Sequence, residues 1–371
     1  MKKSIVYILS NIDKALAFEW IATELNQDKF DLKFILLNPG TSALEKYLQK
    51  ENIKVYTLKY TGKKDLPQAF IHIHNILRKE KPDLIHTHLF DASLIGLAAG
   101  KLAGISKRIF TRHHGNQHHA YFPNAVRYDK WINALATIIV APAISVKDIL
   151  VNLEKVNPTK IKVIHHGFDL SYFYQVDDAV ILKLKQKYNP ENRWPVVGVI
   201  SRYTELKGLQ YVIPAFKKML AIYPDALLLL ANATGDYKAQ VQEHLKSIPR
   251  QNYTEIAFEP DIATLYRLFN IFVHVPVAAS SEAFGQTYVE ALAADVPSVF
   301  TLSGVASEFI RHKENAYVVP FQDADAIYTG MLELLQNKEL RNSIISQGRQ
   351  DVAAQFSLPV MIGALEKLYE Q

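Results

Sequence analysis

The chain predicts an α/β protein of two domains, each built on a parallel sheet covered by helices. Three observations carry this. Short apolar, β-rich runs alternate with amphipathic stretches through both halves. The 371 residues, 49% apolar and 21% charged, can bury full cores and exceed the length of one typical domain. A polar break rich in Asn and Pro at residues 188–195 precedes a fresh series of strands.

In the first half, strands are expected at residues 4–9, 32–37, 53–58, 84–86, 108–111 and 137–141, with amphipathic segments at 16–25, 44–50, 66–80 and 92–103. In the second half, strands are expected at 196–200, 226–231, 254–258, 271–275 and 298–301, each followed by a turn and a helix-like segment. Ligands of such folds bind at the carboxyl ends of strands, so loops at those ends hold the candidate site residues.

Composition narrows the function classes. Without cysteine the chain has no disulfide, thiolate nucleophile or cysteine-ligated zinc. The basic start and short apolar run, followed by Asn11 and Asp13, read as a first strand and not a signal peptide. With no uncharged apolar stretch of the roughly 18 residues that a membrane helix needs, a cytoplasmic protein is expected, free or lying on the inner face of a membrane. Residues 1–167 carry 24 Lys and Arg against 14 Asp and Glu, and the remainder 18 against 23. The basic first half suits solvated helices or an anionic lipid surface. No nucleic-acid-binding motif accompanies it.

The loop Ser281-Glu282-Ala283-Phe284-Gly285 follows a strand and leads into a helix expected at 286–294. A helix N-terminus offers unpaired N–H groups and a positive dipole end, which suits phosphate. Glu282 and Glu290, eight residues apart in sequence, would be about 12 Å apart in a helix, too far to share a proton. They fit two contacts along one long ligand, or simply a helix-end charge and a solvated glutamate. Arg202 ends another strand and Lys207 stands beside Gly208, placements that suit a diphosphate.

Arg202, Lys207, the Glu282 loop with Glu290, the flanking segment 291–297, Ser303-Gly304, and His166-Gly167-Phe168-Asp169 together resemble the retaining nucleotide-sugar glycosyltransferases of family 4, the glycogen-synthase-like group with the GT-B fold. The resemblance is strongest over residues 196–371. It implies two Rossmann-like domains with parallel sheets facing across a cleft. Residues 1–170 would form the acceptor-side domain, residues 171–356 the nucleotide-sugar-binding domain, and the helix within 357–371 would return to the first.

The same resemblance implies roles. Arg202 and Lys207 would neutralise the donor diphosphate, and Glu290 would hold the ribose. Glu282 would contact the transferred sugar, while amides around Phe284, Gly285, Gln286 and Thr287 would meet sugar or phosphate oxygens. His113, at the end of Thr111-Arg112-His113, matches the position whose histidine faces the donor sugar, with His114 as its neighbouring alternative. No metal is implied, and no cofactor beyond the donor itself.

The first half departs from the family where many members carry a glycine-rich loop. Here Ser10-Asn11-Ile12-Asp13-Lys14 stands instead, with Ser10, Asn11 and Lys14 as alternative side-chain contacts. The pairs His86/His88, His113/His114 and His118/His119, with Asp91 nearby, also invite a metal reading. Their spacing matches no specific motif, so no metal is assigned.

The reading that results is a retaining hexosyltransferase. It would move sugar from a UDP- or GDP-sugar to a saccharide or lipid-linked acceptor in surface-polysaccharide or lipid-linked glycan synthesis, with an anionic membrane surface as a further partner. A GT-B epimerase or hydrolase-like enzyme, or a non-catalytic nucleotide-sugar-binding protein, fits the same residues.

Overall fold

A computed structural model describes residues 2–371. The chain divides into two units, Met1–Phe168 with Leu358–Gln371, and Asp169–Ser357.

The first unit holds seven parallel strands: β1 (Lys3–Ser10), β2 (Phe30–Asn38), β3 (Val55–Lys59), β4 (Leu84–His88), β5 (Lys107–Thr111), β6 (Ile138–Ala141) and β7 (Ile161–Val163). Their spatial order is β3-β2-β1-β4-β5-β6-β7, which reverses between β1 and β4. The second unit holds β8 (Val196–Ile200), β9 (Leu227–Ala231), β10 (Tyr253–Ile256), β11 (Ile271–His274), β12 (Ser298–Phe300) and β13 (Tyr317–Val318), in the order β10-β9-β8-β11-β12-β13. It reverses between β8 and β11, the two strands that lead into Arg202 and the Glu282 loop. At such a reversal the flanking loops diverge and leave a crevice, the usual ligand position of this architecture.

β1, β4, β8 and β9 are buried along almost their whole length, so they read as continuous apolar runs. β4 extends two residues beyond the expected 84–86 because His88 pairs with Thr111. The edge strands β7 and β13, three and two residues long, escaped the sequence reading because no period can be recognised at that length. The break at 188–195 is an internal loop of the second unit, where the Tyr188 hydroxyl donates to Glu259 Oε2 at 2.6 Å.

The helix Leu358–Glu370 contributes Leu358, Met361, Ile362, Leu365, Leu368 and Tyr369 to the first unit's core, beside Ile5, Tyr7 and Phe30. Lys107 Nζ donates to the carbonyls of Leu368 and Tyr369 at 2.5 and 3.0 Å, so a cation satisfies acceptors left open at the helix's negative end. The Tyr369 hydroxyl meets His86 Nδ1 at 2.8 Å and also bonds the hydroxyl of Tyr7.

Candidate active site

β8 delivers Arg202 and Lys207. Gly198 within it is required by packing, since a Cβ there would lie 2.3 Å from the Phe269 ring. After the strand, Arg202 is exposed, and its guanidinium makes no hydrogen bond or ion pair among the described residues. Gly208 adopts φ +76°, and a Cβ would stand 2.0 Å from the Val275 carbonyl. Only glycine permits that approach, which seats Lys207 against the end of β11.

β11 ends at His274, and the loop beyond it is pinned from two sides. The Glu282 amide donates to Ser303 Oγ at 3.1 Å, and the amides of Gly304 and Val305 donate to the carbonyls of Ala279 and Phe284 at 3.0 and 2.9 Å. Gly304, with φ +60°, passes so close that a Cβ would meet the Phe284 carbonyl at 2.5 Å. Gly285, with φ +89°, then opens the helix Gln286–Ala293, whose N-terminus carries no side-chain cap.

Glu282 is only 8% exposed, and one of its oxygens, Oε1, lies 2.5 Å from Lys207 Nζ and 3.0 Å from His274 Nε2. Burial pushes this carboxyl upward, but the Lys207 charge and the His274 hydrogen bond outweigh it and hold the pKa at about 2. Glu282 is therefore a fixed anion at neutral pH and cannot serve as a general acid. Burial lowers the His274 pKa against the pull of Glu282, which leaves a neutral ring whose Nδ1 is buried without a hydrogen-bond partner among the described residues. The hydroxyls of Ser201 and Thr287 are likewise buried and unpartnered.

Glu290, on the same helix, is partly buried and accepts a hydrogen bond from the Tyr266 hydroxyl at 3.0 Å. Burial raises its pKa to about 7 although that hydrogen bond pulls downward. It is neither a simple solvated glutamate nor a partner of Glu282.

In the first unit, His113 Nε2 and His88 Nδ1 are 3.0 Å apart, and the His113 ring stacks on His166 at 5.7 Å between centroids. Burial depresses the His113 pKa to about 3, so it is a neutral imidazole that can accept or donate one hydrogen bond. Where glycines were missing after β1, side chains hold the loop instead. Asn38 bonds both the amide and the carbonyl of Ile12, at 3.0 and 2.8 Å, and Asp13 Oδ1 accepts from the Ala43 amide at 3.0 Å.

Comparison with known proteins gives the family. Residues 180–351 match the family described as glycosyl transferases group 1, and residues 21–172 match glycosyltransferase family 4. The chain belongs to the GT-B glycosyltransferases of the family-4 type. The transferase is 26% identical over 302 residues to the capsular polysaccharide biosynthesis glycosyltransferase CapM of Staphylococcus aureus, covering 79% of this chain and 78% of that one. It is 22% identical to the N-acetyl-alpha-D-glucosaminyl L-malate synthase of Bacillus anthracis, covering 79% and 76%. The crystal structure of Anabaena HepE in complex with UDP-glucose superposes with a TM-score of 0.84 at 19% identity, covering 99% and 100%.

Of the residues singled out in the sequence, the transferase brings Lys207 and Glu282 into direct contact and carries Arg202 on the loop from the neighbouring strand. Phe284 packs its ring on Phe356 at 5.8 Å, and its carbonyl accepts from the Val305 amide. Gln286 is exposed and Thr287 turns its hydroxyl inward. The metal reading of His86, His88 and Asp91 does not hold together. Asp91 Oδ2 accepts from the Tyr60 hydroxyl at 2.7 Å, and His86 is held between Tyr369 and Thr111. Ser10 is buried, its Oγ accepting from the Ala92 amide at 3.3 Å, while Asn11 and Lys14 are exposed.

Sequence reasoning missed His274 and Tyr266. His274 looked like one more strand residue; its signal was its place at the last position of the strand feeding the Glu282 loop. Tyr266 carried no signal, because its tie to Glu290 links two helices across the fold.

Proposed function

We propose that this glycosyltransferase takes a nucleoside diphosphate sugar as donor and transfers a hexosyl group to an acceptor hydroxyl with retention of anomeric configuration. The observation that carries the reading is the ionised Glu282 clamped by Lys207, with the exposed Arg202 on the same loop after β8 and a helix N-terminus without a side-chain cap just beyond Glu282. As the bond between C1 and the diphosphate oxygen breaks, negative charge grows on the leaving group. Arg202, Lys207 and the helix amides are preorganised to stabilise it, which lowers the barrier. Glu282 accepts hydrogen bonds from sugar hydroxyls, and Glu290, held by the Tyr266 hydroxyl, accepts from a ribose hydroxyl.

Glu282 is not assigned as a nucleophile, because Lys207 and His274 already hold its Oε1 as part of the binding site. Retention follows if the acceptor oxygen bonds to C1 on the face the diphosphate leaves, its proton passing to a leaving phosphate oxygen. His113 is assigned to the transferred sugar on the strength of its match to the family motif. No metal ion enters these steps.

A membrane-bound acceptor is supported by one face of the first unit. The exposed charged side chains on the helices Leu66–Glu80, Phe90–Leu102 and Val126–Leu135 are all basic: Arg78, Lys79, Lys101, Arg127 and Lys130. An apolar groove of about 520 Å³ among them is lined by Phe70, Leu94, Tyr128 and Trp131, the last 68% exposed. Aromatic residues flanked by cations suit an anionic bilayer surface. Among the described residues, no helix is long and apolar enough to cross a membrane.

Incubation with a panel of UDP- and GDP-sugars and lipid-linked or saccharide acceptors, with NMR of the product's anomeric carbon, tests the proposal. A glycoside with the donor's configuration supports it. An inverted product overturns retention, and free nucleotide with no glycoside across the panel favours an epimerase or hydrolase.

A further inference from the structure

The first unit buries a second polar cluster, whose adjoining cavity His113 also lines. Arg112, Asp129 and Glu154 all have fully buried side chains. Glu154 takes both arms of Arg112, at 2.7 and 3.1 Å, and further bonds from Asn133 and His119, so its oxygens are satisfied. Asp129 is less well served. Its Oδ2 meets His118 Nδ1 at 2.7 Å and lies at 3.5 Å from Arg112, while Oδ1 has no hydrogen-bond partner among the described residues. One guanidinium thus faces two buried carboxylates, and a buried charge without a counter-charge is costly.

His114 Nε2 lies 3.2 Å from that Oδ1, yet the pair misses hydrogen-bond geometry and both atoms are unsatisfied. Coordination produces such a contact. Two ligand atoms each about 2.1 Å from a shared ion, at this separation, subtend about 100° at the ion, close to a tetrahedral angle. The nitrogens of His114 and His118 and an oxygen of Asp129 lie within 4.8 Å of one another. A cavity of about 190 Å³, lined by His113, His114, His118, Phe90 and Phe110, opens beside them and leaves room for a fourth, exchangeable ligand.

The geometry points to a divalent metal site formed by His114, His118 and Asp129, whose two imidazoles and one carboxylate suit zinc. The ion supplies the missing positive charge, ties the short helix Gln117–Tyr121 to the helix Val126–Leu135, and presents an open coordination position to the cavity. It does not depend on the donor reading of Lys207 and Glu282, and it shares its cavity with His113.

The test uses the full chain, stripped with a chelator and titrated with Zn²⁺ against a chromophoric competitor. The expected result is one tight equivalent per chain, a rise in Tm of several degrees, and a cobalt-substituted form with visible imidazole–cobalt absorption. His118→Asn and His114→Gln should weaken zinc by about 100-fold or more, whereas His72→Ala at an exposed histidine should change nothing. Absence of a tight equivalent in the wild type, or equal binding by wild type and both site variants, overturns the site. If the variants fail to fold, the wild-type cobalt spectrum decides: no absorption in the visible overturns it.

Discussion

Lys207 Nζ and His274 Nε2 converge on the same oxygen of Glu282, at 2.5 and 3.0 Å, in a pocket where that glutamate is nearly buried. A carboxylate held in this way is an anion at neutral pH. Its place is set from three directions: Gly208 brings Lys207 against the end of β11, Ser303 fixes the Glu282 amide, and β11 itself carries His274.

The depressed pKa of Glu282 makes stability depend on acid. Its folded pKa of about 2 lies below the usual carboxylate value, so its contribution is fully present above about pH 5 and is lost as pH falls towards 2. Thermal melts should show Tm dropping more steeply below pH 5 in the wild type than in Glu282→Gln. Parallel curves would contradict the assignment.

Glu290 behaves oppositely. Its folded pKa of about 7 exceeds the unfolded value, so the folded state loses stability as pH rises from about 4.5 to 7 and levels off beyond. Glu290→Gln should flatten that interval. If the carboxylate accepts a ribose hydroxyl, affinity for a nucleoside diphosphate should strengthen as pH rises through 7 in the wild type and stay flat in the variant, as titration calorimetry at pH 6 and 8 would show.

Gly208→Ala combines a left-handed backbone with a Cβ driven onto the Val275 carbonyl. Denaturant melts should show a loss of about 2–4 kcal/mol. Gly40→Ala, where nothing lies within 4 Å of the added Cβ, should stay within about 0.5 kcal/mol.

For the basic aromatic face, co-sedimentation with vesicles containing phosphatidylglycerol should fall as NaCl rises from about 0.05 to 0.5 M. Trp131→Glu should reduce it at low salt without altering Tm by more than a degree or two. Binding that is insensitive to both would remove the membrane from the account.

Most of the architecture was legible because parallel strands buried on both faces advertise themselves as apolar runs separated by helical periods. The loops around Lys207 and Glu282 stood out only in combination, through their joint resemblance to a known family; each alone reads as an ordinary surface or helix-end charge. Contacts made across the fold were not. His274 reads as core until the loop returns to it, Asp91 belongs to Tyr60 although histidines flank it in sequence, and Asp129 reaches His114 and His118 over a loop and a short helix. Two edge strands were too short to leave a pattern.

The central claim is that Arg202 and Lys207 grip the diphosphate of a nucleotide sugar beside Glu282. Calorimetric titration of wild type, Arg202→Ala and Lys207→Ala with UDP, UDP-glucose, GDP and GDP-mannose, alongside turnover of any sugar donor that binds, tests it directly. The account predicts that at least one nucleotide binds the wild type, that each substitution weakens it about 10-fold or more, and that turnover falls about 100-fold or more. Unchanged affinity and turnover in both variants would contradict it.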